Sequence, residues 1–188
     1  PYTVRIMRNT SGNNYVELCS VDIGVALTSE FAPFLHPNVY CSYTASSSCV
    51  AKARELVGGC ENQGEALRAI CTYIIDNVAY DDEKAAKLKD STGYIPDPDE
   101  TLQSGKGICF DYASLMTAML RSQGIPTRLD VGYSGTAYHA WISVYLKESG
   151  WVSGIIEFDG NVWTLVDPTF GANTDNKTLK KFIGDGSN

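Results

Sequence analysis

Three residues in this chain have side chains and neighbours suited to covalent chemistry at an amide. Cys109 follows the segment Ser104-Gly105-Lys106-Gly107-Ile108 and opens a run of apolar residues at helical spacing. At the N-terminus of a helix, unpaired N–H groups and the positive end of the dipole favour thiolate over thiol. His139, one of two histidines, begins an alternating segment, and Asp167 ends another just before Pro168. An imidazole next to a thiol can take its proton and later protonate a leaving amine. A carboxylate on the other ring nitrogen fixes the tautomer and orientation. The backbone N–H of Cys109 is a candidate donor to an oxyanion, and losing one such donor typically costs ~10²–10³ in rate. Singly, each of the three also fits an ordinary structural role, so the reading depends on the elements that bring them together.

Those elements are α first and β after. Asn62, with Glu65 three residues later, is a capping box; it starts a helix whose Leu67, Ile70, Cys71, Ile74, Ile75 and Val78 recur at helical spacing. Cys71 falls on that stripe and reads as a small buried hydrophobe. A second helix is expected over residues 109–122, apolar nearly all round and therefore central, and is ended by Gly124 and Pro126. Residues 138–146 alternate strictly, with Ala140, Ile142, Val144 and Leu146 on one face and His139, Trp141, Ser143 and Tyr145 on the other. Strands are also expected near 127–133, at 151–158 and at 162–166, the last two joined by Asp159-Gly160. Upstream, residues 2–7 and 15–27 have strand character on either side of an Asn/Gly-rich turn, residues 32–49 read as loop, and Ser48 is a candidate cap for a helix up to Val57. A short charged helix is expected over 82–89, a long surface loop over 90–107, and a polar, peripheral tail after 172. The predicted class is α+β, with a central helix packed on an antiparallel sheet. The expected organisation is an N-terminal β-rich extension over residues 1–60 packed on a catalytic core over 61–188, together one compact domain.

The segment from Gly105 through Cys109-Phe110-Asp111-Tyr112-Ala113-Ser114-Leu115 to Gly124-Ile125-Pro126-Thr127-Arg128 resembles the nucleophile segment of the transglutaminase-like superfamily. Tyr138-His139-Ala140-Trp141 is similar to its histidine motif, and Trp163-Thr164-Leu165-Val166-Asp167-Pro168-Thr169 to its aspartate motif. The three occur in the family's order. Tyr94-Ile95-Pro96-Asp97-Pro98-Asp99 looks like the bacterial, small-domain branch, whose members include transglutaminase-like cysteine proteases. The resemblance implies a papain-like fold with Cys109, His139 and Asp167 as the triad. It also implies chemistry through a thioester, whose acceptor decides the outcome: water gives a hydrolase, a lysine amine gives a cross-link.

The same resemblance raises further candidates. Gln103 lies six residues before Cys109, the spacing at which papain-type proteases place an oxyanion glutamine; an exposed polar loop residue is the other reading. Tyr80 is a candidate phenol donor to the oxyanion, or a packed tyrosine. Trp141, two residues past His139 and on its face, reads as a shield over the triad or a substrate contact. Calcium is required by the animal enzymes of the family. Here Asp81, Asp82, Asp97, Asp99 and Glu100 lack EF-hand spacing, so solvated loop carboxylates are expected and no metal or other cofactor.

Composition narrows the partners. The chain has 188 residues and a net charge of −7. That balance disfavours nucleic acid, while leaving neutral or basic peptides open. No run approaches the ~18 apolar residues of a membrane span. Six cysteines, Cys19, Cys41, Cys49, Cys60, Cys71 and Cys109, lack the C-x-x-C spacing of zinc or redox motifs. Cys41 and Cys49 flank a Ser-rich loop and are the candidate disulfide pair. That pair, a start at Pro1 rather than Met, and the bacterial resemblance suggest an extracellular or cell-surface protein, with cell-wall or surface proteins among its candidate partners. The expected function is a cysteine-dependent amide hydrolase or acyl transferase acting on peptides or proteins. The alternatives are protein-glutamine cross-linking and a non-catalytic surface binding module.

Overall fold

A computed structural model describes residues 2–89, 91, 93–134, 137–153, 157–159 and 162–164. The chain divides at Ala32/Pro33 into two units. The first is an antiparallel hairpin of β1 (Tyr2–Ser11) and β2 (Asn14–Ile23). Its turn contains Gly12 at φ +52°, a conformation that favours glycine. Tyr2, Val4 and Ile6 pair with Ile23, Val21 and Cys19, which gives one apolar face; Thr3 pairs with Asp22 on the other, and its hydroxyl donates to that carboxylate at 2.7 Å.

The larger unit is built around α5 (Cys109–Ser122), in which every residue from Asp111 to Arg121 is buried. Leu115, Met116, Met119 and Leu120 fill the interior; burying each such side chain contributes roughly 1.5–3 kcal/mol. On one side of α5 lie α1 (Ser48–Val57), α2 (Gln63–Asn77) and α4 (Pro98–Ser104). On the other lies an antiparallel sheet in the order β5 (Thr127–Ser134), β6 (Ala137–Leu146), β7 (Gly150–Ser153). Ala140, Ile142, Val144 and Leu146 are buried, so the alternation in the sequence correctly assigns the inner face of β6. Cys71 is buried in the core as expected, and its thiol is pushed up to about 12 by burial. α1 and α2 both pack on this core.

The segment 90–107 is not a loop throughout. The Asp97 carboxylate accepts the N–H groups of Asp99 and Glu100 at 2.9 and 3.1 Å, Pro98 occupies the first helical position, and Gly105 at φ +62° closes α4. Next comes β4 (Lys106–Gly107), which pairs in parallel with β3 (Ala79–Tyr80) directly after α2. The charged helix α3 (Asp82–Leu88) is present as expected, capped by Asp81. Of the strand expected over 151–158, residues 151–153 lie in β7 and 157–158 in β8 (Glu157–Asp159), which pairs antiparallel with β9 (Val162–Thr164); residues 154–156 lie outside the described residues.

Cysteine and carboxylate placement also differs from expectation. Cys41 and Cys49 are both buried as free thiols. Cys41 Sγ accepts from Arg121 Nη1 at 3.3 Å, and the Cys49 thiol lies against Asp99 and is held far up by burial and that carboxylate. Each thiol therefore has a polar partner of its own. α1 lacks a side-chain cap from Ser47; its free N–H groups meet Asp99 from α4, which accepts the Cys49 N–H at 2.8 Å. Asp81, Asp97 and Asp99 thus act as helix caps, and among the described residues no group of three or more His, Cys, Asp or Glu could hold a metal.

Burial alone would raise the Asp99 pKa, but the groups of Cys49, Ser47 and Ser48 outweigh it and hold the carboxyl below its ordinary 3.8. The resulting stabilisation is complete above about pH 4 and is lost as pH falls through the lower folded value. Asp99→Ala is expected to cost about 1 kcal/mol at pH 7 in urea melts, and less as pH drops towards 3. A loss independent of pH would show that the carboxylate charge does not matter.

Candidate functional site

Cys109 is the first residue of α5 and is half-buried. Its position is set from both sides. Upstream, Ala79 N–H donates to the Gly105 carbonyl at 2.8 Å and Asp81 N–H to the Gly107 carbonyl at 3.0 Å, which pins the approach strand to the end of α2. A Cβ on Gly107 would come within 2.7 Å of Asp111 Cβ and 3.3 Å of Thr101 Cγ2. Gly107, two residues before the cysteine, is therefore required by close packing of the chain on itself.

Downstream, Asp111 supplies a fully buried carboxylate in the first turn. Its Oδ2 accepts the Ile108 N–H at 2.8 Å and meets Lys84 Nζ of α3 at 2.7 Å; its Oδ1 accepts the Tyr94 hydroxyl at 2.5 Å. Lys84 also lies 4.8 Å from the Tyr94 ring centroid. A desolvated carboxylate is tolerated only with partners of this kind. Sequence reasoning missed Asp111, Lys84 and Tyr94 as site-supporting residues. The available signal was an acidic residue at the third position of the helix, where a carboxylate reaches back to the cap N–H.

The sulfur of Cys109 meets the backbone N–H of Ala140 on β6 as well as those of Phe110 and Cys109. That contact puts the backbone of His139 one residue from the thiol. His139 is half-buried, its Nε2 is shielded from solvent, and it pairs with Gly132 across the sheet. Trp141 is on the same strand face and its ring covers Gly132: a Cβ there would come 3.0 Å from Trp141 Cη2. Tyr80 is half-buried beside the site; burial raises its phenol pKa, and the charges of Cys109, Asp82 and Asp111 add to the rise. Gln103 is exposed on α4, and no described contact joins it to Cys109. Asp167 lies outside the described residues.

The thiol itself does not follow the simple helix-dipole expectation. Burial is the largest influence on Cys109 and raises its pKa; the N–H groups of Ala140, Phe110 and Cys109 lower it, and Asp111 raises it again, for a net upward shift. The carboxylate that organises the first turn works against the dipole that should have activated the sulfur.

Comparison with known proteins gives a consistent family. The sequence model of the transglutaminase-like superfamily matches residues 50–154. The mouse kyphoscoliosis peptidase is 32% identical over 130 residues, covering 63% of this chain and 17% of that protein. A protein-glutamine gamma-glutamyltransferase of Pseudomonas aeruginosa is 30% identical over 94 residues, covering 43% of this chain and 12% of that protein. The chain spans less than a fifth of the length of either. A solved structure from Cytophaga hutchinsonii, assigned to the cysteine proteases, superposes with a TM-score of 0.54 at 28% identity, over 68% of this chain and 42% of that one. The fold is the papain-like one of this superfamily, with a helix carrying Cys109 packed on an antiparallel sheet.

The Asp111 network has a measurable sign. Asp111→Asn is expected to lose about 3 kcal/mol of stability in urea unfolding, because Lys84, Tyr94 and Ile108 lose a charged acceptor. It is also expected to move the pH profile of Cys109 alkylation downward, because the carboxylate that raises the thiol pKa is gone. An upward move would show that the carboxylate helps the thiolate.

Proposed function

Because this chain belongs to the transglutaminase-like superfamily, we propose that it is a cysteine-dependent enzyme attacking an amide of a peptide or protein, with Cys109 as nucleophile. The observation that carries this reading is the convergence of the α5 N-terminus and β6 at one sulfur, where the Ala140 N–H meets Cys109 next to His139. In the proposed reaction the Cys109 proton passes to His139 and the sulfur bonds to the substrate carbonyl. The C–N bond then breaks, and the amine leaves with the proton from His139. Water, deprotonated by His139, cleaves the thioester and releases the acid. Asp167 takes the role of orienting His139. Tyr80, beside the sulfur, is the better supported of the two oxyanion candidates, and Trp141 covers the histidine's strand face. A thiol whose burial raises its pKa needs this proton acceptor more than one activated by the helix alone.

Hydrolysis is the first reading, and transfer to a lysine amine is the second, favoured by the gamma-glutamyltransferase among the relatives. The proposed setting is extracellular or at the cell surface, with wall or surface proteins as substrates. Among the described residues no helix is long and apolar enough to cross a membrane.

A peptide-library reaction read by mass spectrometry, with and without a primary amine, separates the outcomes. Hydrolysis adds water to one fragment; cross-linking releases ammonia and rises with amine. Cys109→Ala is expected to lower either activity by ~10⁴-fold or more. Because burial holds the Cys109 thiol above its ordinary pKa, alkylation by iodoacetamide in His139→Ala is expected to need a higher pH than free cysteine does, and in the wild type to extend to lower pH because His139 takes the proton. Identical profiles would remove His139 from the mechanism, and full turnover by Cys109→Ala would remove the whole reading.

A further inference from the structure

Among the described residues of the larger unit, four large apolar side chains are strongly exposed: Val39 at 55%, Tyr40 at 47%, Ile95 at 54% and Val131 at 49%. Two aromatic rings, one of them the exposed Tyr40, lie against the residue that follows the nucleophile. The Phe110 ring centroid lies 5.7 Å from that of Tyr40 and 6.3 Å from that of Tyr94. Val39 and Ile95 are the chain neighbours of Tyr40 and Tyr94. The fourth, Val131, pairs across the sheet with Ala140, whose N–H meets the Cys109 sulfur.

This surface is held in place. The Asn38 carboxamide oxygen accepts the N–H groups of Tyr40 and Cys41 at 2.9 and 3.2 Å, forming a tight turn that presents Val39 and Tyr40. Ser114 Oγ of α5 donates to the Tyr40 carbonyl at 2.6 Å, and the Tyr94 hydroxyl is fixed on Asp111. A contiguous apolar surface left in water has an unfavourable hydration free energy, and ordering it beforehand lowers the cost of binding.

We propose that the face formed by Val39, Tyr40, Phe110, Tyr94 and Ile95 is the subsite for a bulky apolar side chain next to the amide attacked by Cys109, so that the enzyme selects substrates with an aromatic or large aliphatic residue there. The inference rests on Cys109 being the nucleophile. Its occupant follows from continuity with that residue: Phe110 is bonded to Cys109, which puts this face within reach of a side chain adjoining an amide held at the sulfur. The five side chains carry no charge, and Lys84, the cation beside Tyr94, is paired with Asp111, which fits a substrate side chain recognised by burial.

The test uses two chloromethyl ketones, N-acetyl-phenylalanyl and N-acetyl-seryl. In each, the Cys109 sulfur bonds to the methylene carbon, chloride leaves, and the thiol proton passes to the base. Labelling of the Cys109 peptide is followed by mass, with each reagent normalised to its rate with free cysteine. The phenylalanyl reagent is expected to react about tenfold faster, the lower end of the discrimination of an apolar pocket. Tyr40→Ala and, separately, Ile95→Ser are expected to reduce that preference to threefold or less, each rate being taken relative to that variant's own iodoacetamide rate. Equal rates in the wild type, or a preference untouched by both substitutions, overturn the subsite and assign the face to some other partner. Failure of all three reagents to label Cys109 overturns the nucleophile reading and the subsite with it.

Discussion

Asp111 puts a carboxylate where water does not reach, and the front of the molecule is arranged around its need for partners. Lys84 brings α3, Tyr94 brings the segment before α4, and the Ile108 N–H fixes the entry into α5. A charge of this kind is costly unless all its acceptor positions are filled. Filling them positions Cys109, the proposed nucleophile, two residues away. Gly107 must be a glycine for the same reason, since the carboxylate side chain occupies the space where a Cβ would sit. The first turn of α5 is therefore held by tertiary contacts rather than by its own propensity.

Much of the scaffold could be read from local pattern. The capping box at Asn62 and Glu65 is present, with the Glu65 N–H donating to Asn62 Oδ1 at 2.9 Å, and the alternation from 138 to 146 assigns the faces of β6. These features are encoded within a few residues, where periodicity and capping operate. The family resemblance also holds at the level of fold, over residues 50–154, which contain the cysteine and histidine motifs; the Asp167 of the third motif lies outside the described residues. The misses have other causes. α4 was hidden in a segment rich in Pro, Gly and Asp, although Asp97-Pro98 and Gly105 are start and stop signals that a composition-based reading masks. The β3–β4 pairing of two residues each is too short for any period. At the site, the location of Cys109 at a helix start could be read from sequence, but the direction of its pKa could not. That direction depends on burial and on contacts with Ala140 and Asp111 that only the folded chain creates.

Long-range capping shows the same dependence. The N–H groups at the start of α1 are satisfied by Asp99, fifty residues later, so α1 and α4 are tied by a bond that neither sequence segment announces. Cys41 is also explained from a distance: Arg121, buried near the end of α5, donates to its sulfur and to the carbonyls of Thr127 and His36. The cysteines that looked like a bridge are thus two separate polar contacts inside the core.

Asp111 and Arg121 sit at opposite ends of one helix, the anion at the N-terminal end and the cation at the C-terminal end. Each opposes the partial charge of the backbone at its end. At the sulfur the groups of α5 pull both ways, the Phe110 and Cys109 N–H groups lowering the thiol pKa and Asp111 raising it, and the facing sheet adds the Ala140 N–H of β6. Reactivity then belongs to the seam between helix and sheet. The thiol's environment is thus shared by two elements that are joined through the packed core, not by helix hydrogen bonds.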